Sequence, residues 1–258
     1  MKIVSWSGGK DSTATIILAH ELGIKIDLII ISLIWFDQKR KIYAEYPEVI
    51  QWIFEYAIPL FNSWGYQVKV ITSENDYITH FHHIVTRSKV EGRNGKKRGW
   101  LIGSMCKMNP EKVEPIRRFI KELGNDVTQY LGIAADEKSR LESMHKKTNT
   151  ISLLEDLNIE EEQTFAICEK YKLLSPHYEI STRGGCWFCP NQKIKEFAYL
   201  KQHHPELWGE LKKLAEVKNK ISEGFKYGKT FEEVEQEVDR YIWAKDSQIT
   251  IFDLIKEE

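Results

Sequence analysis

The stretch of residues 5–12, SWSGGKDS, places a glycine pair between an apolar start and a helical pattern. Gly8 and Gly9 let the backbone approach an anion closely. The first turn of the following helix adds unpaired N–H groups and a partial positive charge. A strand, loop and helix of this kind form a cradle for phosphate groups.

The polar side chains of this SGGKDS loop (Ser7–Ser12) can add to the cradle. Ser7 and Ser12 can supply hydroxyl donors, Lys10 can supply positive charge, and Asp11 can hold a divalent cation or cap the helix. The spacing between the first glycine and the lysine is too short for a Walker A motif. An ordinary strand-to-helix turn is the alternative.

Two further basic side chains are candidates to grip a phosphate or a sulfate. Lys112 and Arg140 each follow an expected edge of the site, and charge-assisted hydrogen bonds suit both side chains to anions. A solvated helix face is the alternative, because most lysine and arginine side chains are exposed.

Four cysteines are too few for a disulfide framework in a chain of 258 residues, and favour metal ligands, catalytic groups or core residues. Cys186 and Cys189 form a knuckle, GGCWFCP, whose glycines free the backbone to aim both sulfurs at one point. Cys106 and Cys168 could complete a four-thiolate set, which suits tetrahedral zinc (Zn2+) or a 4Fe-4S cluster. Burial as apolar side chains is the alternative for Cys106 and Cys168, and a redox dithiol is the alternative for the knuckle.

Residues 87–98, RSKVEGRNGKKR, hold six basic side chains and one acid. The glycines predict a mobile loop. This basic loop could receive a polyanion, whether RNA, DNA or a phosphorylated acceptor. A solvated loop without a ligand is the alternative.

Alternating strand and helix patterns position these residues. The expected strands are 1–6, 26–34, 67–72 and 127–134, and the expected helices are 11–22, 48–64 and 76–87. The alternation predicts an α/β fold with an open, mostly parallel sheet and helices on both faces. Ligands of such sheets bind beyond the carboxyl ends of the strands, which is where the SGGKDS loop falls.

The strand pattern fades after residue 150 and the sequence becomes helical, with a glycine-rich interruption at 183–189. We therefore predict a nucleotide-binding α/β domain at residues 1–150. A helical C-terminal region at residues 151–258 is expected to carry the cysteine knuckle.

Charge and hydropathy exclude several classes of partner. Lysine and arginine total 37 against 38 aspartates and glutamates, so there is no global attraction to nucleic acid or to a membrane surface. No run of about 18 apolar residues and no charged leader is present. The composition predicts a cytoplasmic protein without a membrane partner, and leaves a homo-oligomer open.

The SGGKDS string resembles the PP-loop of the adenine nucleotide α-hydrolase superfamily, which includes ATP pyrophosphatases, tRNA-thiolating enzymes and phosphoadenosine phosphosulfate (PAPS) reductases. Residues 112–116, KVEPI, and residues 132–140, GIAADEKSR, are similar to segments of the PAPS reductase-like family. In the second segment a glycine ends a strand, and an acid and an arginine follow. The resemblance covers about residues 1–192.

This resemblance implies a Rossmann-like fold that binds ATP or another adenine nucleotide with Mg2+. It adds Gly132 and Glu137 to the nucleotide-binding residues of the loop, and implies catalytic roles for Lys10, Asp11 and the pair Lys112 and Arg140. It also favours a 4Fe-4S cluster over zinc, because adenylylsulfate reductases place cluster cysteines before a KVEP-like segment and in a later C-x2-C.

Three functions are compatible with these features. The first is an enzyme that cleaves or activates ATP at the α-phosphate, with sulfur chemistry on the cysteine site. The second is a sulfonucleotide reductase, although the family uses a nucleophilic cysteine near the C-terminus and no cysteine follows Cys189. The third is a non-catalytic module that binds nucleotide and metal in a nucleic-acid modification system.

Overall fold

The computed structural model describes residues 1–103, 106–124, 126–182 and 184–255, with the backbone alone for 248–255. The chain forms two compact units. The first comprises Met1–Asp76 and Met108–Gly184, and the second comprises Tyr77–Lys107 and Gly185–Glu258. The domain boundary predicted at residue 150 therefore falls inside the first unit.

The first unit alternates strands with helices. Its strands are β1 (Lys2–Trp6), β2 (Leu28–Leu33), β3 (Trp35–Asp37), β4 (Ile42–Tyr43), β5 (Val68–Thr72), β7 (Thr128–Leu131) and β8 (Thr150–Ile151). Its helices are α1 (Lys10–Glu21), α2 (Pro47–Gln51), α3 (Ile58–Ser63), α5 (Asn109–Leu123), α6 (Lys138–His145), α7 (Leu153–Asp156), α8 (Glu161–Lys170) and α9 (His177–Ile180).

Five of these strands form a parallel sheet in the order β5-β2-β1-β7-β8. Val4 of β1 lies between Ile29 of β2 and Tyr130 of β7. The chain adds β2 and β5 on one side of β1 and then β7 and β8 on the other, so the direction of winding reverses at β1. Such a reversal opens a crevice at the carboxyl ends of the central strands.

Helices cover both faces of this sheet, as the sequence predicts. On one face, Ile3, Ile30 and Val127 form a buried cluster against apolar side chains of α5. Trp6 points to the opposite face, because successive side chains of a strand alternate. Its ring packs 5.0 Å from the ring of Phe61 in α3. The α/β fold with a Rossmann-like sheet is confirmed.

The helix predicted at residues 48–64 is divided into three segments. A π-helical segment, Trp52–Ala57, lies between α2 and α3. Pro59 lies in the first turn of α3. Inside a regular α-helix a proline has no N–H to donate, and its ring clashes with the carbonyl four residues earlier. The wider π turn accommodates the proline without ending the helical path.

The second unit is built around aromatic side chains. Its elements are α4 (Tyr77–His82), β6 (Lys97–Gly99), α10 (Ile194–His203), α11 (Pro205–Ala215), β9 (Lys220–Ser222) and α12 (Phe231–Ile255). Trp100 packs edge-on against Phe81 and Phe225, with ring centroids 5.1 and 4.7 Å away. The predicted helical C-terminal region is confirmed by α10, α11 and α12. Among the described residues, no helix combines the length and the apolar composition of a membrane span.

Candidate functional site

The SGGKDS loop connects β1 to α1 at the carboxyl edge of the sheet. Gly8 has a φ of 76°, a left-handed conformation that favours glycine. Gly9 is extended and forms the N-cap of α1, with no side chain that could cap the helix. The predicted strand, loop and helix are therefore present, and α1 begins at Lys10.

Hydroxyl groups hold the loop in this shape. The Ser12 hydroxyl accepts a hydrogen bond from the Ser7 N–H at 3.1 Å and donates one to the Gly9 carbonyl at 3.0 Å. The hydroxyls of Ser7 and Ser12 lie 3.1 Å apart. Because these bonds lie within the loop, its curvature does not depend on a ligand.

Gly132 brings the end of β7 against the first turn of α1. A Cβ atom at this position would lie 2.4 Å from the Ser12 nitrogen and 2.6 Å from the Asp11 carbonyl carbon. Both neighbours are backbone atoms, so neither can give way by a side-chain rotation. Gly132 therefore lies beside the SGGKDS loop, and its role in binding a nucleotide stays a prediction.

The Lys10 side chain is almost fully buried, with 3% of its surface exposed. Its ammonium nitrogen lies 2.7 Å from Asp11 Oδ1 and 2.9 Å from Glu161 Oε1, and 5.0 Å from the centre of the Phe165 ring. Burial opposes the positive charge, but the hydrogen bonds to Asp11 and Glu161 outweigh it and raise the pKa of Lys10. Lys10 therefore stays charged.

Helix α8 and helix α9 supply site residues that the sequence analysis missed. The Thr164 hydroxyl donates to Asp11 Oδ1 at 2.8 Å, and the Tyr178 hydroxyl accepts from the Lys10 N–H at 3.0 Å. Glu161, which contacts the Lys10 ammonium, also belongs to this set. One sequence signal was available, because Thr164 and Cys168 are four residues apart and so share a helix face.

Cys168 packs beneath the SGGKDS loop. Its side chain is fully buried, and its Sγ donates to the Lys10 carbonyl at 3.3 Å. Burial raises the pKa of the Cys168 thiol to about 12. This neutral thiol has a packing contact in the first unit, and its predicted role as a metal ligand stays a prediction.

Lys112, Glu137 and Arg140 are held by ion pairs or hydrogen bonds. The Lys112 ammonium lies 3.3 Å from Glu45 Oε1. Glu137 accepts a hydrogen bond from the Ala134 N–H at 3.1 Å and pairs with the Arg140 guanidinium. Both Glu137 and Arg140 follow the end of β7, but their contacts do not test a role with a ligand.

The cysteine knuckle lies in the second unit, as does Cys106. The Cys189 N–H donates to the Cys186 carbonyl at 3.0 Å, which closes the turn between the two thiols. The Lys226 ammonium donates to the Pro190 carbonyl at 3.0 Å just after the knuckle. Burial lowers the pKa of Lys226, partly opposed by the nearby Cys189.

The two thiols of the knuckle provide half of a tetrahedral site. Within the described part of the chain, no group of three or more histidine, cysteine, aspartate or glutamate side chains is arranged around a metal position. Cys106 is exposed. The knuckle therefore provides two of the four predicted metal ligands.

The basic loop at residues 87–98 is ordered by its own contacts. The Ser88 N–H donates to Asn94 Oδ1 at 2.8 Å, and Asn94 Nδ2 donates back to the Ser88 carbonyl at 3.2 Å. The Lys97 N–H donates to the Asn219 carbonyl at 2.9 Å. These contacts define the shape of the loop, and its mobility stays a prediction.

Most cations of this loop lack an acidic partner. Among the described residues, no ion pair is formed by Arg87, Lys89, Arg93, Lys96 or Lys97. The positive charge of the loop is therefore not neutralised by neighbouring carboxylates.

Comparison with known proteins shows a distant likeness in fold. No protein-family model and no curated protein matches this chain. The fold is similar to the solved structure of the U34-tRNA thiolase NcsA from Methanococcus maripaludis with its 4Fe-4S cluster. The similarity has a TM-score of 0.39 and 15% sequence identity, over 84% of this chain and 72% of that chain. At this level no residue role is transferred between the two proteins.

Replacing Gly132 with alanine should disturb the SGGKDS loop. The new Cβ would meet the Ser12 nitrogen at 2.4 Å, so the end of β7 or the first turn of α1 must shift. We expect the free energy of unfolding to fall by about 1–3 kcal/mol, measured by urea denaturation.

Gly209→Ala is the matched control. Gly209 lies in α11, and an added Cβ would have no neighbour within 4 Å. Alanine there should leave stability unchanged or raise it by up to about 1 kcal/mol. Equal stability of the wild type and the Gly132 variant would contradict the close approach of β7 to α1.

Proposed function

We propose that this chain is an ATP pyrophosphatase-type enzyme that binds an adenine nucleotide at the SGGKDS loop. In this reaction ATP is cleaved at the α-phosphate, and an activated group passes to an acceptor. The observation that carries the proposal is the placement of the buried, charged Lys10 at the start of α1, beside a glycine loop at the reversal point of the sheet. Anions bind at such helix starts.

Each residue of the loop has a role in this proposal. The backbone N–H groups at the start of α1 donate to phosphate oxygens, and the Lys10 ammonium stabilises the charge that develops on the leaving pyrophosphate. Asp11, whose side chain is 22% exposed, is the residue that would hold magnesium. Bound magnesium supplies neutralisation of the phosphate charge.

The proposal predicts that Asp11→Asn loses turnover. Asparagine keeps the size of the side chain and an oxygen for Thr164 and Lys10, but it removes the negative charge that would hold magnesium. We expect formation of AMP and pyrophosphate from labelled ATP to fall by about 100-fold or more, measured by product separation. Asp156→Asn, on the exposed end of α7, is the control and should keep the wild-type rate.

Other products would change the assignment. Release of sulfite from PAPS with no cleavage of ATP would identify a sulfonucleotide reductase. Nucleotide binding without turnover would identify a non-catalytic module. Either result would contradict the pyrophosphatase proposal.

We also propose that Cys186 and Cys189 hold a metal centre, either a 4Fe-4S cluster or zinc, with Cys106 and Cys168 as the remaining predicted ligands. The tight turn between the two knuckle cysteines supports this proposal, because paired thiolates on one turn suit both centres. Held by four cysteines, a zinc ion would supply a structural link, and a cluster would supply a redox-active sulfur centre.

Metal analysis of anaerobically purified variants tests this proposal. We expect Cys186→Ser to lose bound iron or zinc, together with any visible absorption of a cluster. Cys168→Ala distinguishes a four-cysteine site from a site without Cys168. Loss of metal from this variant would support the four-cysteine site, and retention of metal would show that Cys168 has a packing role only. Wild-type protein that contains neither metal would refute the centre.

The basic loop at residues 87–98 is proposed to bind the phosphate backbone of a nucleic-acid acceptor, in line with an RNA partner. Five cations of this loop have no acidic partner among the described residues, and they support this proposal because phosphate contacts with lysine and arginine dominate such binding. The net charge of the chain is −1, so any attraction of a nucleic acid must come from this loop and not from the protein as a whole.

Neutralising three of these cations should weaken RNA binding and its salt dependence together. For the combined Arg87→Gln, Lys89→Gln and Arg93→Gln variant, we expect the slope of log affinity against log salt to fall by about two. Filter binding with a single-stranded RNA and a DNA of the same sequence gives both slopes. The control replaces Lys69, Lys146 and Lys147 with glutamine. An equal fall of the salt-dependence slope in this control would contradict a specific role for the basic loop.

A further inference from the structure

Two side chains of the first unit contact the two donors of Lys10 that an anionic ligand would use, its backbone N–H and its ammonium group. The Tyr178 hydroxyl accepts a hydrogen bond from the Lys10 N–H at 3.0 Å. Glu161 Oε1 accepts one from the Lys10 ammonium at 2.9 Å. The backbone donor and the side-chain donor of Lys10 thus both face oxygen atoms of the protein itself.

We propose that Tyr178 and Glu161 act as substitutes for phosphate oxygens at the SGGKDS loop, and that a nucleotide binds by displacing them. The inference rests on the proposed function and adds two residues that set nucleotide affinity. Both are positioning residues, since they act through Lys10.

The position of the Tyr178 phenol supports this role. Its hydroxyl oxygen lies 3.5 Å from the point that a Cβ atom of Gly9 would occupy, so it lies directly over the loop. The ring packs edge-on against Phe165 at 5.2 Å. Burial raises the pKa of Tyr178, so the hydroxyl is neutral. A neutral oxygen is a weaker acceptor than a charged phosphate oxygen, and a phosphate can therefore replace it.

The two acidic partners of Lys10 differ in how firmly they are held. The Asp11 side chain is 22% exposed and also accepts from Thr164. The Glu161 side chain is 55% exposed, and an exposed ion pair contributes little stability. Glu161 is therefore the partner that can leave, while Asp11 continues to neutralise the buried ammonium.

For Glu161, this exchange moves the side chain and leaves the backbone in place. Its backbone N–H donates to Asp136 Oδ1 at 3.0 Å, which anchors the start of α8. Thr164 in the next turn stays bonded to Asp11. The displacement can thus occur by a rotation of side chains without a rearrangement of the sheet or of α1.

Removing either substitute should strengthen nucleotide binding. We expect Tyr178→Phe to bind pyrophosphate and ATP about five-fold more tightly, the equivalent of one net hydrogen bond. Glu161→Gln should bind about three-fold more tightly at low salt, with the gain falling as salt is added. Isothermal titration calorimetry with each ligand measures both effects.

Two matched variants control for general effects. Tyr171→Phe removes a hydroxyl that contacts Glu21 at the other end of α1. Glu162→Gln removes the same charge as Glu161→Gln from the neighbouring position of α8. Neither control should change affinity by more than about the error of the measurement, because neither side chain contacts Lys10.

The Lys10 amide gives a second readout. In the ligand-free protein, Tyr178→Phe should increase the rate of hydrogen exchange at the Lys10 N–H, and pyrophosphate should restore its protection. A residue that only supports the fold would instead weaken binding when replaced.

The outcomes separate this inference from the proposed function. Binding by the wild type, with unchanged or weaker binding by Tyr178→Phe and Glu161→Gln, would overturn the inference alone. An absence of binding by the wild type and by all four variants would overturn the nucleotide site and the inference with it.

Discussion

The burial of one ammonium group organises the candidate site. Lys10 is 3% exposed, and an unpaired charge in such surroundings carries a large desolvation cost. Asp11 contacts the ammonium at 2.7 Å, and a second carboxylate comes from Glu161, 151 positions later in the chain. The start of α8 is thereby linked to the start of α1, and residues 151–184 belong to the unit that contains the five-stranded sheet.

Side chains and backbone from other segments also pack against the first turn of α1. Cys168 lies one helical turn after Thr164, and the two side chains contact the Lys10 carbonyl and the Asp11 carboxylate. Gly132 brings the end of β7 to the same turn of α1. Contacts from the end of β7, from α8 and from Tyr178 in α9 therefore meet at the first turn of α1, which explains how an irregular loop is held at a fixed position.

Features formed by neighbouring residues can be predicted from the sequence, but contacts between residues far apart in the chain cannot. A glycine pair between a strand pattern and a helix pattern predicts the SGGKDS loop, and the apolar run of β2 predicts a strand covered on both faces. Glu161 and Tyr178 carry no such local signal, because a carboxylate and a phenol are ordinary residues on a helix surface. Only the fold shows that they face Lys10. For Cys168 the sequence leaves metal ligation and burial as alternatives, and the fold shows that the side chain is buried.

Part of the hydrogen bonding of the SGGKDS loop is satisfied by the protein itself. The hydroxyls of Ser7 and Ser12 bond to each other and to the backbone, and the Lys10 N–H bonds to Tyr178. A loop with unsatisfied buried amides would collapse or rearrange. Internal acceptors reduce this cost for Lys10 and for the two serines. The shape of the loop is therefore stabilised by contacts spread over the loop itself, α1 and α9.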